Sequence, residues 1–222
     1  MAYRGLILDF AGVLATGIRE SIRDWCLGER LDADAWRHAL ETDPAGRRYY
    51  LDLEAGRLSQ ADWNRLTARA LGLPDGENLM GRAWARVRPA AEVIALARAA
   101  REAGMTVAML SNSFGLAPYD PYAHVGVWDL FDVAVISERE FVAKPDPRIY
   151  RLTLERMGLP GEACVFVDDR PENLPPAAAL GITTVHATAD GAWLADLTRL
   201  LALPSAAADG DAPGTRPDGG AA

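Results

Sequence analysis

Short, mainly apolar runs alternate along this chain with longer segments in which apolar residues recur at helical spacing. Four apolar runs cover residues 6–8, 105–110, 133–136 and 163–167, and a fifth covers residues 182–186. Apolar runs of this length, without polar alternation, are typical of strands buried on both faces. The segments between the later runs have helical periodicity. Strands separated by helices predict an α/β fold, a parallel sheet with helices on both faces.

Helix starts are visible within this alternation. Asp146 followed by Pro147 is a typical N-cap with proline at the first helical position. We expect another helix to begin at Pro89 and run to Gly104, and Asp190 to cap the last one.

Residues 15–88 have a different pattern, with helical spacing and no convincing strand. Ser59 with Asp62 is a reasonable helix start. The segment therefore predicts a small helical cap domain inserted between the two parts of an α/β core, residues 1–14 and 89–203. Four of the six tryptophans lie in it, and we expect them to fill its interior rather than form an aromatic wall over a site.

Composition narrows the class of protein. The chain has 222 residues, 50% hydrophobic, and a net charge of -8, which argues against sequence-independent nucleic-acid binding. Cys26 and Cys164 suggest no disulfide framework.

Asp9 interrupts the first apolar run, so no signal peptide is expected, and no stretch reaches the ~18 apolar residues of a membrane span. We expect a cytoplasmic monomer or homodimer with a disordered tail at residues 204–222.

Polar side chains suited to phosphate chemistry stand at the ends of the predicted strands. Because the carboxyl ends of parallel strands meet at one edge of a sheet, these side chains should converge. Three carboxylates that converge repel one another unless a cation lies among them, and hard oxygen ligands favour Mg²⁺. A carboxylate nucleophile with Mg²⁺, a lysine and neutral donors is the equipment for phosphoryl transfer through an aspartyl-phosphate. Asp9, Ser111, Asn112, Asp168 and Asp169 stand at strand ends, and Lys144 stands immediately before a predicted helix.

Lys144 stands out in the composition. The chain has 23 lysines and arginines, and every one except Lys144 is arginine. A lysine retained in so arginine-rich a chain fits a site that needs a compact point charge rather than a planar guanidinium.

Four motifs carry this chemistry: "DFAGVL" from Asp9, "LSNS" at residues 110–113, "KPDPRIY" from Lys144, and "VFVDDRPEN" at residues 165–173. Their set and order resemble the haloacid dehalogenase superfamily over residues 5–187. The resemblance is closest to the branch with a small helical cap after the first motif, which includes the phosphatase domain of soluble epoxide hydrolases. It implies a Rossmann-like, doubly wound core.

The resemblance also implies roles for the motif residues. Asp9 would be the nucleophile and a Mg²⁺ ligand, and Asp169 a second ligand, with Asp168 supporting the metal shell. The remaining positions would act on the substrate: Ser111 and Asn112 would hold the phosphate, and Lys144 would neutralise Asp9 and the transferred group.

Ala11 departs from the family pattern, in which a second aspartate usually protonates the leaving group and then activates water. Its backbone carbonyl can still serve as the third protein ligand to Mg²⁺. General acid/base help contributes typically ~10²–10⁴-fold, so we expect a phosphatase of a small phosphate ester that is slow or needs a good leaving group.

Other functions stay open. The chain could be a phosphate- and metal-binding protein without turnover, or the scaffold could serve another hydrolytic or transfer chemistry with an acid/base from the cap or the substrate. Phosphonate-cleaving members have alanine at this position but need a cap lysine, which this chain lacks. Halide-releasing members typically have an aromatic residue there and serines in place of the acidic pair, so Ala11 and Asp168–Asp169 both disagree with that branch.

Overall fold

A computed structural model describes residues 2–203 of the protein, so the tail predicted to be disordered lies outside the described residues. A five-stranded sheet forms its centre, in the order β5-β4-β1-β6-β7, with every neighbouring pair parallel. A separate antiparallel pair joins β2 and β3. The strands are β1 (Gly5–Leu8), β2 (Ala15–Thr16), β3 (Arg88–Pro89), β4 (Thr106–Ser111), β5 (Val133–Ile136), β6 (Cys164–Asp168) and β7 (Thr183–His186).

Helices cover both faces of the sheet, which confirms the predicted fold class. Side chains of β1 alternate between two apolar clusters, with Leu6 and Leu8 in one and Ile7 in the other. The helices are α1 (Ile18–Gly28), α2 (Ala35–Arg37), α3 (Pro44–Glu54), α4 (Gln60–Ala70), α5 (Leu79–Ala83), α6 (Ala91–Glu102), α7 (Pro121–Val125), α8 (Ser137–Glu140), α9 (Pro147–Met157), α10 (Leu174–Ala178) and α11 (Ala192–Leu200). None of them, within the described part of the chain, is long and apolar enough to cross a membrane.

The prediction that Pro89 opens a helix is wrong. Pro89 pairs with Ala15 in the β2–β3 ribbon, and the helix begins two residues later at Ala91. A two-residue strand pair gives no periodicity, so the sequence pattern could not reveal it. Since the ribbon has only edge strands, a proline without an N–H donor is tolerated there.

Three tryptophans form the interior of the helical segment between β2 and β3. Trp25 packs edge-to-face on Trp36 at 5.4 Å between ring centroids, and Trp36 packs on Trp63 at 5.5 Å. Trp84 instead packs against Phe114, at 4.9 Å, and lies parallel to the ring of Phe10. The fourth tryptophan therefore connects the helical segment to the loops that follow β1 and β4.

A buried glutamine joins the same two parts of the molecule. The Gln60 side chain, at the start of α4, is 2% exposed. Its amide nitrogen donates to the carbonyls of Phe114, Gly115 and Tyr119 at 3.0–3.2 Å, and its oxygen accepts from the Tyr119 N–H at 2.9 Å. These bonds hold α4 against the loop after β4, above the carboxyl edge of the sheet.

Candidate active site

Asp9 follows the buried strand β1 directly and lies at the carboxyl edge of the sheet. Its backbone N–H donates to the Val167 carbonyl at 2.9 Å, which extends the β1–β6 ladder by one residue. The chain then turns sharply: Gly12 has φ +84° and its N–H donates to the Ala15 carbonyl at 2.9 Å. Glycine is suited to this left-handed conformation because it has no Cβ. The turn leaves Asp9 at the tip of a rigid strand with little bulk after it.

Lys144 connects two of the carboxylates. Its ammonium donates to Asp9 Oδ1 at 2.6 Å, to Asp168 Oδ2 at 2.6 Å and to the Leu110 carbonyl at 2.9 Å. The side chain is 1% exposed. Burial alone would lower the pKa of Lys144, but the charges of Asp9 and Asp168 outweigh it and raise that pKa. Lys144 is therefore a charged group with all three of its N–H donors engaged, as expected for a compact ammonium.

Asn112 holds the backbone of Lys144. Its amide nitrogen donates to the Lys144 carbonyl at 3.0 Å, and its oxygen accepts from the Lys144 N–H at 2.8 Å. Both ends of the amide are thus used in positioning the lysine, a task that the motif did not indicate. A phosphate contact from the Asn112 side chain stays a prediction.

Ser111 ends β4 and is 2% exposed. Its hydroxyl accepts a hydrogen bond from the Tyr122 hydroxyl at 2.9 Å, and Tyr122 also packs against Phe10 at 4.5 Å between ring centroids. The acceptor for the Ser111 proton within the described residues is the Asn112 carbonyl, at 3.5 Å. That distance is at the limit of a hydrogen bond, so the proton is available to an anion at this edge.

Asp9, Asp168 and Asp169 form an acidic cluster whose ligand atoms lie within 4.8 Å of one another. Burial, together with the charges of Asp168 and Asp169, raises the pKa of Asp9 to about 7 in spite of Lys144. Burial and the charge of Asp168 raise the pKa of Asp169 as well. One ammonium does not balance three carboxylates, so the cluster favours an additional cation.

Asp168 is the most constrained member of the cluster. It is fully buried, and its Oδ1 accepts from the Arg170 N–H at 2.9 Å and from the Asn173 amide at 3.0 Å. Its Oδ2 accepts from Asn173 at 3.1 Å and from Lys144. Since both oxygens are occupied, Asp168 is suited to support the cluster rather than to bind a cation directly.

The oxygens that remain fit a hard divalent cation. Asp9 Oδ2 has no hydrogen-bond partner among residues 2–203, and neither has the Ala11 carbonyl. Asp169 is the most exposed of the three aspartates. Carboxylate and carbonyl oxygens are the ligands that Mg²⁺ prefers. Asp9, Asp169 and the Ala11 carbonyl are therefore available to hold such an ion.

Gly12→Ala tests this arrangement. A Cβ at Gly12 would lie 2.5 Å from Asp169 Oδ2 and would force that carboxylate to move. We expect Mg²⁺ affinity, measured by calorimetry, to fall at least tenfold, a loss of about 1.4 kcal/mol. Gly104→Ala is the matched control, because Gly104 has φ +85° but a Cβ there meets nothing within 4 Å. Equal affinities in the two variants would contradict the proposed ligand set.

Several residues that shape this site have no role that the sequence pattern predicts. Asn173 lay inside a quoted motif without a role, and its amide now holds Asp168. Tyr122 and Glu54 lie outside every motif. Tyr122 bonds Ser111 from α7, eleven residues further along the chain, and Glu54 ends α3 as a buried carboxylate above the site. The sequence around Tyr122 and around Glu54 contains no motif that marks either residue, because only the fold brings α7 and α3 to the edge of the sheet.

Relatives of the chain include phosphatases and dehalogenases. Sesquiterpene phosphatase astK of Aspergillus oryzae is 26% identical over 206 residues, which cover 90% of this chain and 97% of that protein. Acyl-CoA dehydrogenase family member 10 of Mus musculus is 36% identical over 104 residues, covering 47% of this chain and 10% of that protein, so the chain spans a tenth of its length. Proteins named haloacid dehalogenases also match, one of them over 54% of this chain.

A solved structure and a family model agree with these relatives. A haloacid dehalogenase family enzyme of Bacteroides thetaiotaomicron, solved as a magnesium complex, superposes with a TM-score of 0.70 at 22% identity, covering 90% of this chain and 100% of that one. That likeness establishes the fold. The model of the haloacid dehalogenase-like hydrolases matches residues 3–181. Because this match spans most of the chain, the protein belongs to the haloacid dehalogenase-like hydrolase family.

Proposed function

We propose that the protein is a Mg²⁺-dependent phosphatase of a small phosphate monoester, with Asp9 as the nucleophile. The observation that carries the proposal is the arrangement around Asp9. Lys144 holds Asp9 Oδ1, the acidic cluster adjoins it, and Asp9 Oδ2 is left without a partner in the described chain. A relative named as a phosphatase, matched over 97% of its length, supports phosphate-ester chemistry.

Each residue has a task in this proposal. One carboxylate oxygen of Asp9 attacks phosphorus, and the ester oxygen leaves, so that an aspartyl-phosphate forms on Asp9. The Ser111 hydroxyl donates to the phosphoryl oxygens, while Lys144, held by Asn112, balances the charge of Asp9 and of the transferred group. Mg²⁺, when bound by Asp9, Asp169 and the Ala11 carbonyl, would neutralise charge between nucleophile and phosphate.

The division into a core (residues 1–14 and 89–203) and a cap (residues 15–88) is part of the same proposal. The hydrogen bonds of Gln60 hold the helical segment above the carboxyl edge of the sheet, where it would limit which esters reach Asp9. We therefore expect substrate choice to depend on this segment. The likeness of the cap to that of soluble epoxide hydrolase phosphatase domains stays a prediction.

Halide release is the alternative that the dehalogenase relatives raise. The cluster of three carboxylates weighs against halide release. Displacement of halide from carbon involves no phosphate and so requires no cation to offset its charge, whereas this cluster favours one. A phosphate-binding protein without turnover is the other alternative. Both can be distinguished from a phosphatase in one experiment.

The test measures phosphate release from a panel containing p-nitrophenyl phosphate, small alkyl phosphates and an isoprenoid monophosphate, and halide release from 2-haloalkanoates. We expect phosphate release that stops on chelation and is restored by Mg²⁺. Asp169→Asn should lower turnover and Mg²⁺ affinity at least tenfold, because it removes a charged ligand. Asp196→Asn, an exposed change on α11, is the control and should change neither. Metal-independent halide release, or no turnover at all, would contradict the proposal.

A further inference from the structure

Glu54, the last residue of α3, is a buried carboxylate that the mechanism above does not use. It is 6% exposed, and within residues 2–203 it forms no ion pair within 4 Å. Burying a carboxylate without a close cation costs free energy.

The backbone of Glu54 is fixed to the carboxyl edge of the sheet. Its carbonyl accepts from the Ser137 hydroxyl at 2.5 Å, and the same hydroxyl accepts from the Ser113 N–H at 2.9 Å. Ser137 follows β5 directly, and Ser113 lies two residues after the end of β4. Glu54 is therefore bonded to the start of α8 and, through Ser137, linked to the loop that follows β4.

The turn after Glu54 is equally close to this edge. A Cβ at Gly56 would lie 2.2 Å from the Glu138 carbonyl, so the chain passes against α8 with no room for a side chain. The end of α3 cannot move away from the site without breaking this contact and the bond from Ser137. Glu54 thus has a defined position above the active-site edge.

The charged and titratable groups that face Glu54 come from three elements. They are Tyr50, one turn earlier on α3, Arg170, in the loop after β6, and Lys144, in the loop before α9. Tyr50 is influenced by Asp9 as well as by Glu54. Glu54 therefore faces Lys144, which bonds to Asp9 and Asp168, and Arg170, which follows Asp169 in the chain.

We propose that Glu54 is the general acid and base of the reaction, in place of the aspartate that this chain lacks at Ala11. The inference rests on the proposed phosphatase function and identifies the group that transfers the proton. The side chain at Ala11 is a methyl group and has no proton to transfer, so a proton for the leaving group has to come from another titratable side chain near this edge.

The proton balances over two steps. In the first, a carboxylate oxygen of Asp9 forms a bond to phosphorus while the bond from phosphorus to the ester oxygen breaks, and the Glu54 carboxylic acid gives its proton to that oxygen. In the second, water forms a bond to phosphorus while the Asp9–phosphorus bond breaks, and the Glu54 carboxylate takes a proton from the water. Glu54 ends protonated, as it began.

The environment of Glu54 suits both steps. Burial raises the pKa of Glu54, although Arg170, Tyr50 and Lys144 act in the opposite direction. A raised pKa favours the protonated carboxyl group that the first step needs, and the carboxylate left by that step can accept a proton in the second.

Glu54→Gln tests the proposal, with Asp52→Asn on the same helix as the matched control, since Asp52 instead pairs with Arg57 on the exposed side. Gln keeps the shape of the side chain but cannot transfer the proton. With a small alkyl phosphate we expect kcat to fall by at least ~10²-fold. With p-nitrophenyl phosphate, whose leaving group needs no proton, the first turnover should stay fast and be followed by slow steady-state release, seen as a burst of nitrophenolate.

A second variant separates proton transfer from a structural role. Ala11→Asp in the Glu54→Gln background supplies a carboxylate at the usual family position, and we expect it to restore at least tenfold of the lost alkyl phosphate turnover. Mg²⁺ affinity should remain at the wild-type value throughout, and both variants should remain folded in thermal unfolding. A fall in kcat that is equal for both esters, without a burst, would overturn the role of Glu54 alone. A wild type that hydrolyses no phosphate ester would overturn the proposed function and this inference together.

Discussion

Asp9→Asn is expected to abolish hydrolysis of every phosphate ester that the wild type accepts, by at least ~10³-fold in kcat. The amide is nearly the same shape as the carboxylate but is not a nucleophile, so no aspartyl-phosphate can form. Beryllium fluoride, which mimics a phosphoryl group on a carboxylate, should bind the wild type at Asp9 and fail to bind the variant.

The same variant should remain folded. Burial and the neighbouring carboxylates raise the pKa of Asp9, which means that its charge costs free energy in the folded state. A neutral amide avoids that cost, although it loses the ionic part of the contact with Lys144. We expect a thermal midpoint, measured without divalent ions, no lower than about 4 °C below the wild type. Turnover near the wild-type rate in this folded variant would show that Asp9 is not the nucleophile.

Lys144→Met should have the largest effect on stability, with a loss of about 3–5 kcal/mol in the free energy of unfolding. Asp9 and Asp168 are both buried, and Lys144 is the cation that the structure places between them. Methionine has a similar length, so packing is largely kept while two carboxylates are left without their partner. Urea denaturation at pH 7 measures the loss, and activity should disappear with it.

The pH dependence of this loss has a definite sign. Because Asp9 and Asp168 raise the pKa of Lys144, its contribution to stability is complete at neutral pH and is lost only as the pH rises through that raised value. The difference in the free energy of unfolding between the wild type and Lys144→Met should therefore persist from pH 7 to pH 9. Lys144→Arg is the informative control, since a planar guanidinium cannot direct three donors at the three acceptors. Full stability and activity in Lys144→Arg would contradict the need for a compact ammonium.

Much of the sheet could be predicted from the chain alone. A strand buried on both faces consists mainly of apolar residues. Runs of this kind are visible in the sequence, and they contain Leu6, Val107 and Val165. Parallel strands share one carboxyl edge, and this alone brings Asp9 and Asp168 together. The β2–β3 ribbon escaped prediction because its pairing depends on residues that are far apart in sequence and have no pattern of their own.

The sequence by itself determined the nucleophile candidate, the acidic pair and the single lysine, because each follows a strand or precedes a helix whose pattern is local. Only the tertiary structure decided how the site residues are held in place. Asn112 hydrogen-bonds to the backbone of Lys144, and Tyr122 hydrogen-bonds to Ser111. It also decided that Glu54 lies above the site, since Ser137 fixes α3 there from 83 residues away. The physical reason is that strand and helix patterns record which side chains are buried locally, whereas hydrogen bonds between distant loops depend on how the whole chain packs.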